Sequence, residues 1–142
     1  MSSESPTTET DIQEAHKPYI ERVIWALNDA GIPTPDHEVH RDDPRSAYIQ
    51  LGETDPNTGR EIGLVWHEES GWYRGIDQAG SGELNLIRWM HDLLPTPGEV
   101  AAWVRAMETD ATKHGGIERP RFRDFDDTDD GFEAELAEAG AE

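Results

Sequence analysis

The chain has no cysteine. Disulfide staples, thiolate nucleophiles and cysteine-ligated zinc are therefore excluded together. Positive charge is scarce: 12 Lys and Arg stand against 31 Asp and Glu, for a formal net charge of −19. Non-specific affinity for nucleic acid comes from cationic groups neutralising phosphates. Attraction to anionic lipid surfaces has the same origin. Direct binding to nucleic acid or to a membrane is accordingly not expected. No apolar run approaches the roughly 18 residues that suggest a bilayer-spanning helix. The first residues, Met1-Ser2-Ser3-Glu4-Ser5-Pro6, lack the basic start and apolar stretch of a secretory signal. The expected location is cytoplasmic.

Sequence motifs for catalysis are missing too. No serine sits in a Gly-x-Ser-x-Gly elbow. Gly80-Ser81-Gly82-Glu83 is not followed by lysine, so it is no phosphate loop. Asp126-Asp127-Thr128-Asp129-Asp130-Gly131 has the composition of a calcium loop but lacks its closing glutamate. No catalytic residue and no cofactor is expected.

The charge that is present is unevenly spread. Residues 1–16 carry −4, residues 17–118 carry −9 and residues 119–142 carry −6. From Asp124 to Glu142 there are nine carboxylates and no Lys or Arg. Like charges with few apolar neighbours do not bury enough surface to offset ordering entropy. This reading divides the chain into a disordered acidic leader over 1–16, a globular domain over 17–118 and a disordered acidic tail over 119–142.

Within the middle segment, apolar spacing sets the elements. Ile12, Ala15, Tyr19, Val23, Ala26, Leu27 and Ala30 recur at helical intervals, with Pro18 in the first turn of the firm helix and Gly31 as a stop. Ala47, Ile49 and Leu51 alternate, as do Ile62, Leu64 and Trp66, and Trp72 to Asp77 forms a third strand. Glu69-Ser70-Gly71 is short enough for a hairpin turn. Leu84 to Met90 suits a buried strand or a helix, and a strand fits its neighbours better. Thr96-Pro97-Gly98-Glu99 reads as a capping box that opens a second helix. The fold expected is α+β: an antiparallel sheet of three to four strands, with an N-terminal and a C-terminal helix packed on one face.

Four stretches carry a resemblance: Tyr19-Ile20-Glu21-Arg22-Val23, Ser46-Ala47-Tyr48-Ile49-Gln50-Leu51, Leu64-Val65-Trp66-His67-Glu68-Glu69-Ser70-Gly71-Trp72 and Leu93-Leu94-Pro95-Thr96-Pro97-Gly98-Glu99-Val100. In these the chain resembles a family of small uncharacterised bacterial domains, found mainly in high-GC Gram-positive bacteria and their mobile elements. The resemblance covers about residues 17–108 and implies a domain boundary. It implies no activity.

Candidate sites are few. His37-Glu38-Val39-His40 is the nearest approach to a metal motif. The zincin pattern needs histidines four apart on a helix, whereas His37 and His40 are three apart and would point to opposite faces of a strand. His67 beside Glu68 and Glu69 has the chemistry of an acid or base, at a hairpin end that is ordinarily polar. Of the five tryptophans most must be core. Trp66 and Trp72 flank one hairpin, and if both do not face the helices, one of them or the neighbouring Tyr73 offers an aromatic to a partner. In the tail, Phe125, Phe132 and Leu136 lie among carboxylates, a pattern that folds onto basic, apolar partners. The function expected is a non-catalytic, acidic protein-interaction or adaptor domain whose polyanionic tail binds a basic protein. A nucleic-acid mimic that inhibits a DNA- or RNA-binding protein is the alternative. A small metal-dependent enzyme at His37 and His40 is third.

Overall fold

The computed structural model describes residues 14–41, 44–55, 59–77, 84–109, 115–127 and 129–141, without the side chains of residues 85, 86 and 109. Several expectations fall outside the described residues: the leader through residue 13, the Asp42-Asp43 part of a turn, residues 56–58 of a loop, residues 79–82 as a strand break, and Lys113 and His114 at a helix end.

Helix α1 spans Lys17–Asp29 with Pro18 in its first turn. It buries Tyr19, Ile20, Val23 and Leu27, a stripe at intervals of three and four that one helical face presents. Its end is a Schellman motif: the Ile32 amide donates to Leu27 O at 2.8 Å and the Gly31 amide to Asn28 O at 3.0 Å. Five strands follow: β1 (Asp36–His40), β2 (Ser46–Thr54), β3 (Glu61–His67), β4 (Gly71–Asp77) and β5 (Leu84–Trp89). They lie in the order β1-β2-β3-β4-β5, every neighbouring pair antiparallel. Helix α2 is Pro97–Thr109 and helix α3 is Phe132–Ala141. The expected capping box is formed: the Glu99 amide donates to Thr96 Oγ1 at 3.1 Å, and the Thr96 amide to Glu99 Oε1 at 2.9 Å.

The sheet has five strands, not the three to four expected. The strand beyond that count is the edge strand β1; the other edge, β5, is the segment for which a strand was the better fit. Val39 belongs to β1, a strand of mostly polar residues whose composition hides it. The ambiguous segment near Leu84 supplies β5.

One face of the sheet carries the core. Ala47, Ile49, Leu51, Ile62, Leu64, Trp66, Trp72 and Ile76 are buried in one cluster with α1 and α2 residues. The buried aromatics have their polar atoms met. Tyr19 Oη donates to Pro95 O at 2.6 Å and accepts from Trp72 Nε1 at 3.0 Å, and Trp66 Nε1 donates to Leu93 O at 2.9 Å. These bonds tie α1 and the approach to α2 onto the β3–β4 hairpin.

The acidic C-terminal segment is not the free tail the composition suggested. Gly116 pairs with Trp89 along the outer edge of β5. The chain then crosses the β3–β4 turn, where the Phe122 amide donates to Glu69 O at 2.8 Å and the Phe125 amide to the Glu69 carboxylate at 2.8 Å. Helix α3 packs on α1 and buries Phe132 and Leu136, which stand four apart on one helical face. Each such burial contributes roughly 1.5–3 kcal/mol. The composition counted carboxylates, but two of them are neutralised locally: Asp130 meets Arg123 at 2.6 Å and Glu133 meets Arg45 at 2.6 Å. At the other end, order reaches back past Lys17, with His16 fully buried and Glu14 paired to Arg41 at 2.6 Å.

Candidate functional site

The second face of the sheet has no helix over it among the described residues. One cross-strand row on it runs through all five strands: Glu38 opposite Tyr48, Tyr48 opposite Val65, Val65 opposite Tyr73, and Tyr73 opposite Trp89. Residues directly opposite share a face, so the row presents one acid, two phenols, a valine and an indole in sequence. Tyr73 and Trp89 have ring centroids 4.6 Å apart. The next row toward the far end of the strands is Gln50, Gly63 and Gly75. A Cβ on Gly63 or Gly75 would stand 2.9 Å or 2.6 Å from Leu84 side-chain atoms. The two glycines thus form a trough in which Leu84 lies. The row on the other side is polar, with His40, Ser46 and His67.

Together these residues shape a concavity of about 510 Å³, walled by Tyr48, Val65, Tyr73, Leu84 and Ile87, with Glu38, His40 and Ser46 at its rim. Its surroundings are acidic. Burial raises the Tyr48 hydroxyl above its ordinary pKa, and the charges of Asp77, Glu61 and Asp36 raise it further. At the opposite end a cation already sits on the aromatic row: the Arg119 guanidinium lies 5.7 Å from the Trp89 ring centroid. Its Nε donates to Ser70 Oγ at 2.9 Å. Burial, and then the Arg119 charge, lowers the pKa of neighbouring His67.

The sequence-derived candidates divide sharply. Trp66 and Trp72 are opposite one another and both face the helices, fully buried; neither is available to a partner. Phe132 and Leu136 are buried in the chain's own core. Phe132 stacks on Trp66, centroids 6.4 Å apart at 9°. Tyr73 lies on the open face, and Phe125 is exposed on the segment that crosses the hairpin. His37 is in register with Ile49 on the core side and His40 with Ser46 on the open side, so the two imidazoles do not converge on one ion. Ser46 stands opposite His40, whose Nε2 is 3.4 Å from Glu38.

Sequence reasoning missed Tyr48 and the strand that brings Glu38 beside it. Strict alternation in Ser46–Leu51 had placed Tyr48 opposite the core; the missing signal was β1. It also missed Trp25, which is 71% exposed on α1.

A charged cluster lies at the β3–β4 turn. Glu68, 1% exposed, accepts from the Arg45 side chain at 3.0 and 2.8 Å, from the Arg45 amide at 2.6 Å and from Arg123 Nη1 at 2.8 Å. Burial alone would raise this carboxyl, but the Arg45 bonds and the two guanidinium charges outweigh it and hold it below its ordinary pKa. The same two arginines flank the Phe132 ring, at 5.7 and 4.1 Å. Every charge here is engaged in holding the C-terminal segment, which makes the cluster structural. On the exposed side of that segment Asp124, Asp126 and Asp127 bring oxygens within 4.8 Å of one another.

Fold and site define a small α+β domain with one covered sheet face and one open, aromatic and acid-rimmed face. The chain belongs to a family of unknown function, DUF6292, whose model matches residues 19–106. The match runs from α1 into α2 and takes in the whole sheet; α3 lies beyond it. No curated protein and no solved structure matches the chain.

Proposed function

We propose that this chain is a non-catalytic interaction domain that docks a basic protein on the open face of its sheet. The observation that carries the reading is the row Glu38–Tyr48–Val65–Tyr73–Trp89, in which Glu38 is exposed, Tyr48, Val65 and Tyr73 are half-buried beside a concavity, and Trp89 is buried. Large aromatics left on a sheet face, with no helix over them among the described residues, mark interaction surfaces more often than solvent-facing ornament. The acidic rim selects the partner's charge. Opposite charge accelerates encounter and like charge rejects wrong partners. The exposed carboxylates of the crossing segment extend the same field.

The test places a photo-crosslinking amino acid at Val65 on the open face and, as a control, at Trp25 on the helical side. A basic protein joined at position 65, absent from the position-25 control and lost when salt is raised, supports the reading. Equal yield from both positions, or a captured partner that is acidic, refutes it.

A further inference from the structure

We infer that the concavity between Tyr48 and Tyr73 receives an arginine side chain from the docked segment. The inference rests on the docking reading above and names the group that reads the site. Its walls are two phenol rings, Val65, Leu84 and Ile87, and its rim carries Glu38. The charges of Asp36, Glu61 and Asp77, outside the lining, also reach Tyr48 in its wall. An acidic side chain is repelled by these four carboxylates. A purely apolar one would strip water from the rim and give nothing back. A cation with a flat, weakly hydrated head and an apolar stem satisfies both the rings and the rim.

Arginine rather than lysine follows from how this protein already pairs its own cations. Arg119 stacks on Trp89, the next member of the same row after Tyr73, and Arg45 and Arg123 flank Phe132. A planar guanidinium can lie against a ring while donating sideways to a carboxylate, which a compact, strongly hydrated ammonium does less well. The Arg119 seat and the proposed one are neighbours along one aromatic row. One is filled from within the chain and the other opens to solvent.

The experiment titrates the full chain, followed by amide resonances, with a short peptide alternating arginine and serine, and with its lysine and citrulline counterparts. The arginine peptide is expected to shift Tyr48, Val65, Tyr73 and Ile87. Tyr48→Leu should weaken it roughly tenfold while Tyr48→Phe, which keeps the ring, stays within about twofold. Glu38→Gln should weaken it and flatten its salt dependence. Dispersed spectra of each variant establish that it folds. Equal affinity for arginine and lysine peptides, shifts confined to the carboxylates of the crossing segment, or no shift with any peptide would each overturn the arginine seat. The crosslink at Val65 judges the open face separately, so it can stand while the seat falls.

Discussion

Arg123 Nη1 donates to Glu68 Oε2 at 2.8 Å, with both side chains buried. That bond joins the acidic C-terminal segment to the β3–β4 turn, and Glu68 is shared with Arg45 on its other side. Removing one member of a buried ion pair leaves the remaining charges uncompensated, which costs about 3–5 kcal/mol. Glu68→Ala is therefore expected to lower unfolding stability by about that amount in urea titrations. It takes the shared buried acceptor from two guanidiniums at once, leaving Arg45 with Glu133 and Arg123 with Asp130 as carboxylate partners among the described residues. Arg121→Ala, in an exposed pair with Asp124, should leave stability nearly unchanged, because solvent screens such pairs. Similar losses for both variants would count against a buried network.

The stack of Phe132 on Trp66 distinguishes a docked α3 from a free tail. Phe132→Ala should destabilise the whole domain by about 3–5 kcal/mol, because a buried ring is deleted from a filled core. Amides of residues 135–139 should exchange slowly, with protection near that of α1. A free tail predicts no change in stability and fast exchange throughout 119–141.

How much of this was legible can be argued from those residues. The helical stripe of α1, the alternation in β2 and β3 and the Thr96–Glu99 box are local signals, and each gave its element. The Phe132–Leu136 interval is also local, but its docking depends on Arg45 and Arg123 neutralising Glu133 and Asp130, and sequence does not show that these meet. The open face needed long-range information as well. Tyr48 was placed opposite the core by alternation alone. Glu38 joins it only because β1 pairs at the register Glu38–Tyr48, and Asp36-His37-Glu38 gives no apolar cue for a strand.

Two glycines with positive φ separate turn strain from steric closure. In the β3–β4 loop the Ser70 amide donates to His67 O at 3.1 Å, and Gly71 follows at φ +85°. This is a three-residue hairpin with its left-handed residue at the strand start. A Cβ there would strike the Asp92 carbonyl. At Gly131, φ +75°, a Cβ meets nothing within 4 Å. Gly131→Ala should cost about 1–2 kcal/mol, the left-handed penalty alone. Gly71→Ala adds an overpacking cost of about 1–3 kcal/mol and should be clearly worse. Thermal melts of the two variants side by side measure the difference, and equal shifts would mean that the contact with Asp92 relaxes freely.

His16 makes stability depend on pH near neutrality. It is fully buried, stacked 5.7 Å from Trp66, and its Nε2–H is shared between the carbonyls of His40 and Ser46, each at 3.0 Å. Nδ1 has no partner among the described residues. Burial lowers its pKa; the Ser46 and His40 bonds and the Glu68 charge push the other way, and Arg45 adds to the lowering. The folded state therefore prefers the neutral ring more strongly than the unfolded chain does. As pH falls through the unfolded value of about 6.5, the unfolded chain takes up a proton that the fold resists, so stability is full above that pH and declines below it. His67, lowered by burial and Arg119, works in the same direction. Urea midpoints should hold steady from pH 8 to pH 7 and drop between about pH 6.5 and pH 5. His16→Gln, which keeps a donor without titrating, should lose part of that drop and leave the contribution of His67. An unchanged slope in the variant would show that His16 does not set the acid limit of this fold.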